Sequence, residues 1–446
     1  MDQAQPNPIE QAPDQPKRPA PTTQRYSSID TLRGFALLGI LVPNIWFFAW
    51  PMVAGTAPDE IMSHTPANHL AHDITSTLFL GKFMFLFALL FGSGVIMYAR
   101  KFDSSSQNAC ASCDYDMTGL TAEARCPECD SSARTSRITP LSKGALLWYI
   151  RCAVLLMFGL IHAYLFWYGD ILTFYAVAGL TLLWWVRRLN PRLQLWGGLG
   201  LYFLGALLMT AFSGLGYWAL ETGRVSIDEL TGNTELELKG YLGTFADALQ
   251  ARFFTTLQFQ FIFGVFFMPA LWGIMTMGMG LTRLGYLTGE KKTSTYLKLA
   301  AMLIPLGLVT TLLAYYSTHT IFERLPGFMW QALAQPIGVP LALGYGSLII
   351  ALSKLTAAKI ITAPLAAVGR MALSNYFAHT LLCTTFFYGY GLGYFAQIEY
   401  PQLWLVVLSV WAFNIVFSLL WLRAFRMGPF EWVWRCLTYR QLVPIR

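Results

Sequence analysis

The feature that most constrains this chain is a series of apolar runs, each about twenty residues long, centred near residues 40, 88, 157, 178, 205, 268, 307, 341, 376 and 412. A helix of that length is about 30 Å long, the thickness of a bilayer's hydrocarbon core. One large soluble helical core would need a charged face on each helix, and these runs have none. Only 12% of the 446 residues are charged while 55% are hydrophobic, against roughly 25% charged in soluble domains. The pattern predicts an all-α, polytopic integral membrane protein of about ten transmembrane helices.

Charge supplies the orientation. With the N-terminus inside, 26 of the 31 Lys and Arg lie on the inner side; Lys82, Arg224, Lys239, Arg252 and Arg324 lie outside. This positive-inside bias predicts a cell (inner, cytoplasmic) membrane protein with both termini in the cytoplasm. It also explains the net charge of +7 without nucleic acid as a partner.

Residues 1–25, rich in Pro and Gln, read as a disordered cytoplasmic tail and not as a secretory signal. The membrane domain falls in two parts, 26–101 and 145–446, separated by a polar cytoplasmic insert at 102–144. An outer loop at about 51–73 holds His64, His69, His72 and Asp73. A second outer segment, about 220–255, contains "SIDE", in which Ser226 and Glu229 have the spacing of a capping box for a short helix on the outer face. Tyr168, Gly169 and Asp170 of "WYGDIL" mark a tight outer turn. No internal repeat is evident, and no GxSxG, Walker or dinucleotide motif occurs.

The insert carries the strongest local motif, "CASCDYDMTGLTAEARCPECD". Cys110 and Cys113 form one knuckle and Cys126 and Cys129 the second, a spacing that presents four thiolates to one metal, zinc before iron. A cytoplasmic setting disfavours disulfides. Four Cys ligands leave no open position, so the metal is expected to be structural, and a cytoplasmic protein is a candidate partner of the insert. The second knuckle has Asp130 where zinc ribbons commonly carry Gly. Cys152, Cys383 and Cys436 read as packing residues.

Polar residues inside the apolar runs are costly in lipid unless they face partners or water. Counted from the inner helix ends, Asn44 lies roughly 21 Å deep, His162 roughly 18 Å and His379 roughly 20 Å. They therefore share a layer, which serves either as interhelical hydrogen bonding or as a site. Pro43, Pro269 and Pro336 are expected to break helical hydrogen bonding nearby. Arg33, Arg151 and Arg370 sit at the inner ends of the same three spans, as snorkelling anchors or as a phosphate site. Asp30 is placed to pair with Arg33. Asp170, His69 and His72 are outer-mouth candidates, with His69 and His72 read first as part of a solvated loop.

The opening stretch "SSIDTLRGFALLGILVPNIWFFAWP", "GKFMFLFALLFGSG", "GLIHAYLFWYGDIL", "GRMALSNYFAHTLL" and "LRAFRMGPFEWVWRCLTYR" together resemble the YeiB-like family of membrane proteins (domain of unknown function 418). The likeness spans nearly all of the membrane region and excludes the tail and the Cys-rich insert. That family is similar to the transmembrane acyltransferase superfamily, which moves acyl groups, often from acyl-CoA, onto sugars and other acceptors. In the better-studied branch an Asp, an Arg three residues on and a catalytic His eleven beyond share the first span. Here Asp30 and Arg33 fit, but the third position is Asn44, and an amide is no general base.

The resemblance therefore implies an acyltransferase with acyl-CoA as co-substrate bound at Arg33, Arg151 and Arg370. Its acceptor, a small molecule or glycan, is reached from outside, and His162 or His379, or else the outer His69 and His72, handles the proton. A transporter for a small polar or anionic substrate is the alternative from a different class, and a non-enzymatic membrane protein is the third reading.

Overall fold

A chain in lipid must satisfy its backbone internally, and this one does so with helices. They are α1 (Ser27–Ala49), α2 (Pro66–Leu78), α3 (Lys82–Ala99), α4 (Leu141–Ile161), α5 (Leu172–Val186), α6 (Pro191–Glu221), α7 (Thr234–Leu242) and α8 (Phe245–Ile262). They continue as α9 (Met268–Arg283), α10 (Thr293–Thr320), α11 (Val339–Ser353), α12 (Lys359–Arg370), α13 (Ala372–Phe387), α14 (Tyr400–Ala424) and α15 (Pro429–Tyr439). The computed structural model describes residues 27–55, 63, 65–100, 109–110, 113, 115, 117, 120–121, 124–132, 134–135, 141–226, 233–320 and 336–446. His64, Glu229 and Arg324 lie outside them.

Among the described residues, seven helices are long and apolar enough to cross a membrane, or eight if α11 and the helical segment after it, bent by 104°, form one broken span. Ten spans are expected from the apolar runs, and the three runs that fall short are those near 178, 341 and 376. They contain α5, α11 with 15 residues and α13 with 16, the latter two reaching roughly 24 Å or less. The cause is local: turns at Trp167–Ile171, Lys354–Leu355 and Tyr388–Gly389 interrupt the helices while hydropathy stays high.

The prolines behave differently from one another. Pro43 lies inside α1. Pro269 lies inside the continuous helical span Phe245–Arg283, just after its π-helical turn Phe263–Phe267, so the regular hydrogen-bond ladder is interrupted there as expected. Pro336 precedes α11 and leaves it intact.

Small residues set the closest contacts. A Cβ at Gly34 of α1 would overlap the Leu365 carbonyl of α12, and one at Gly369 would overlap the Asp30 carbonyl. Such close approach is the usual way helices associate where lipid removes the hydrophobic drive.

Two ends of the bundle can be distinguished. At one, α15 packs beside the start of α4, where Trp434 Nε1 donates to the Arg151 carbonyl at 2.9 Å, and Arg370 donates to the Arg426 carbonyl at 3.0 Å. The Cys-rich insert sits there, with strand β1 (Ala109–Cys110) paired antiparallel to β2 (Arg134–Thr135). The other end is a buried aromatic cluster containing Phe48 against Trp167 at 3.9 Å and Tyr241 against Tyr388 at 4.5 Å.

Between α6 and α8 the expected short helix is present as α7. Its cap is Asn233, whose side chain accepts from the Leu236 amide at 2.7 Å, and the described part of "SIDE" is not its start. The loop expected at 51–73 is partly helical: Thr65 caps α2, which carries both His69 and His72.

Candidate functional site

The chemistry gathers where α4 ends. Its last turn widens into a π-helical turn, His162–Phe166, closed by the Trp167 amide on the His162 carbonyl at 2.9 Å. Such turns recur at functional sites because they re-aim side chains. The chain then reverses and enters α5, whose start is capped by Asp170: Oδ2 accepts from the Thr173 amide at 2.7 Å. The reversal brings Asp170 Oδ1 to 3.0 Å from His162 Nδ1, with both side chains essentially inaccessible to solvent.

On its other side, His162 Nε2 is 2.8 Å from Thr380 Oγ1 of α13. The Tyr376 ring lies over the imidazole at 4.8 Å, and its hydroxyl accepts from the Ile171 amide at 3.3 Å. A carboxylate, an imidazole and a hydroxyl thus stand in a row. The Nδ1–Oδ1 pair is close without being aligned as a hydrogen bond, and the Thr380 hydroxyl also faces the Tyr376 carbonyl at 3.5 Å. In the tautomer with the proton on Nδ1, Nε2 accepts from Thr380. This is the arrangement by which a hydroxyl is activated as a nucleophile.

Of the sequence candidates, His162 and Asp170 meet directly. Thr380 is missed by sequence reading; the available signal is a hydroxyl beside His379 in a run otherwise fit for lipid. His379 is buried on α13, and its Nε2 has no hydrogen-bond partner among the described residues. Asn44 is half-buried on α1, and no hydrogen bond joins it to either histidine. His72 stacks on Trp46 at 4.8 Å and on Tyr400 at 5.9 Å, two rings that also stack on each other at 5.3 Å, while His69 is exposed. Those two therefore lie apart from the His162 row.

The three arginines do not share one role. Arg33 lies 3.3 Å from Asp30, on the α1 face that meets α12, which ends at Arg370. The Arg151 guanidinium is held over the rings of Trp434 at 4.4 Å and Tyr98 at 5.3 Å, with Glu128 of the insert 4.0 Å away. Arg151 joins the insert to the bundle.

The four cysteines of the insert are buried, free and clustered, with all four sulfurs within 4.8 Å of one another. Cys110 and Cys129 are 3.5 Å apart, as are Cys113 and Cys126. These separations are far too long for disulfides and close to the roughly 3.8 Å between thiolates around a tetrahedral zinc. Hydrogen bonds from the other three thiols hold the Cys110 thiol below its ordinary range. The four cysteines could therefore hold a metal ion. The second knuckle docks on α15: Tyr439 donates to Glu128, and Gln441 Nε2 donates to the Cys129 carbonyl at 2.6 Å. Asp130 takes a positive φ of 59°, the conformation for which ribbons use Gly, and its side chain pairs with Arg125 at 2.9 Å.

Comparison with known proteins places this architecture. A family model described as "Protein of unknown function (DUF418)" matches residues 281–441, from the end of α9 through α15. The chain is 30% identical to the uncharacterized protein YeiB of Escherichia coli (strain K12), covering 94% of this chain and 98% of that one. It is 28% identical to the uncharacterized protein YxaH of Bacillus subtilis (strain 168), over 96% and 98%. No solved structure matches. With near-complete coverage on both sides, the chain belongs to the YeiB-like family of multi-pass membrane proteins, a family without an assigned activity.

Proposed function

We propose that this protein transfers an acyl group from a cytoplasmic donor such as acyl-CoA to an acceptor reached from the opposite side of the cell membrane. The observation that carries the reading is the buried Asp170–His162–Thr380 row. In the first step Thr380 Oγ1 attacks the thioester carbonyl and its proton passes to His162 Nε2. The C–S bond then breaks, and the departing sulfur takes that proton as a thiol. In the second step an acceptor hydroxyl attacks the acyl-Thr380 ester, gives its proton to His162, and the proton returns to Thr380. Asp170 holds the imidazole and stabilises its cationic form.

Asn44 is the candidate donor to the developing oxyanion, a role an amide can fill. Arg33 and Arg370 are the candidate contacts for the donor's phosphates. His379 has no carboxylate partner among the described residues and is assigned no proton transfer. Zinc held by the four cysteines would supply only structural cross-linking, since four thiolates leave no catalytic position.

Acyl-CoA added to the purified protein should raise its unfolding temperature, and mass spectrometry should find an acyl group on Thr380. Acetyl-CoA is the first donor to try. Accumulation of an unmodified solute in sealed vesicles, with no acylated product, would favour a transporter instead. The broken segment at α11 supports that second reading, because discontinuous helices line substrate paths.

We further place both termini and the insert in the cytoplasm, on the distribution of Lys and Arg. An impermeant thiol reagent applied to intact cells should label a cysteine introduced at 233 and spare one at 440. The reverse pattern would invert the topology and move the donor face outward.

A further inference from the structure

The aromatic end holds a group of buried donors outside the His162 row. Arg252 of α8 is fully buried, and its Nη1 donates to the Leu165 carbonyl within the π-helical turn that carries His162. Its Nε and Nη2 have no hydrogen-bond partner among the described residues, nor do the hydroxyls of Tyr168, Tyr241 and Tyr388, each at least 98% buried. Tyr241 and Tyr388 stack at 4.5 Å, and the Arg252 guanidinium stands 5.8 Å from the Tyr388 ring.

Among the described residues, Glu237 is the buried carboxylate beside this group, and both its carboxylate oxygens accept hydrogen bonds from other donors. Glu237 accepts from the Met52 amide at 2.8 Å through Oε2 and from the Thr255 hydroxyl at 3.1 Å through Oε1. Burial pushes the Tyr168, Tyr241 and Tyr388 phenols above their ordinary range, and Glu237 adds to the rise. All three therefore remain O–H donors near neutral pH. A buried guanidinium and three phenols with so few acceptors carry a large desolvation cost, and an oxyanion is the chemistry that offsets it.

We infer that Arg252, Tyr168, Tyr241 and Tyr388 form a binding site for an oxyanion, a carboxylate or phosphate group. If acyl transfer is the reaction, that group belongs to the acceptor, since Arg252 and Thr256 hold the Leu165 and Ala163 carbonyls of the turn bearing His162. That assignment to the acceptor rests on the proposed function; the anion site does not.

The test uses the full-length protein in nanodiscs with inorganic phosphate and acetate as probes, against chloride at matched ionic strength. Either probe should raise the unfolding temperature of the unaltered protein in a saturable way. Tyr168→Phe and Tyr388→Phe keep the rings and remove hydroxyls with no hydrogen-bond partner among the described residues, so the anion-free unfolding temperature should stay the same. Each should weaken anion binding about tenfold or more, and Arg252→Met should abolish it. A response to acetate alone identifies a carboxylate site, to phosphate alone a phosphate site, and to both a general oxyanion site. No response beyond chloride, or variants that bind as well as the unaltered protein, overturns the proposal. Anion binding without any acyl transfer keeps the site and removes only the acceptor assignment.

Discussion

His162→Ala should lower the rate of acyl transfer by about a thousandfold while changing acyl-CoA affinity by less than about twofold. The imidazole has no other residue to replace it. Nε2 faces Thr380 at 2.8 Å and Nδ1 faces Asp170 at 3.0 Å, whereas His379 lacks a carboxylate to orient it. Asp170→Asn should cost a similar factor, because an amide can favour the wrong imidazole tautomer without much change in volume. Thr380→Val removes the hydroxyl alone and should abolish the acyl-enzyme, while Thr380→Ser should retain measurable turnover. The useful readouts are acyl-enzyme mass and turnover in the same preparation. If His162→Ala and Thr380→Val transfer at the unaltered rate, the row is interhelical hydrogen bonding and the reading falls.

The second large effect concerns the insert. Replacing Cys126 and Cys129 by Ser should remove metal that is otherwise bound at about one equivalent per chain, as read by elemental analysis. Four thiolates can contribute on the order of 10 kcal/mol or more to the folding of a zinc module, so the knuckles should lose their structure together. The bundle has its own core, and its helix content should persist. What should change is the dock: without an ordered second knuckle, Glu128 is no longer held against Tyr439 and Arg151. Hydrogen exchange over residues 429–441 should therefore quicken. Metal that stays at one equivalent in the double replacement would rule out these ligands.

How much of this could be read from the residues varies by element. The membrane class is visible because apolar length is a one-dimensional property, and hydropathy reports it directly. The span count is not, since a turn such as Lys354–Leu355 interrupts a helix without changing the mean hydropathy of its neighbourhood. Asp170 and His162 are legible as a pair once the hairpin is recognised, being eight residues apart across a turn. Thr380 is 218 residues from His162, and no local spacing announces it. Arg151 reads as an anchor or phosphate ligand because Tyr98 and Trp434, the rings that hold it, are distant in the chain. Asn233, Glu237 and Arg252 sit in a segment that looks like a polar surface excursion, and only packing reveals that Glu237 and Arg252 are buried.

The order in which a ribosome delivers this chain gives the docking of the insert a temporal meaning. Cys110–Cys129 is synthesised some 300 residues before its partners Tyr439, the last residue of α15, and Gln441 just beyond it. Throughout that interval the knuckles can fold, but the surface that receives them does not yet exist. The same late helix supplies Glu431, whose carboxylate accepts from the Leu373 and Ser374 amides at 2.7 and 3.2 Å and so caps α13, the carrier of Thr380. One arrival thus fastens the insert and seats the start of α13. Completion of translation through α15 becomes the event that closes the molecule, and a nascent chain stopped before it would present both an undocked insert and an uncapped helix to quality control.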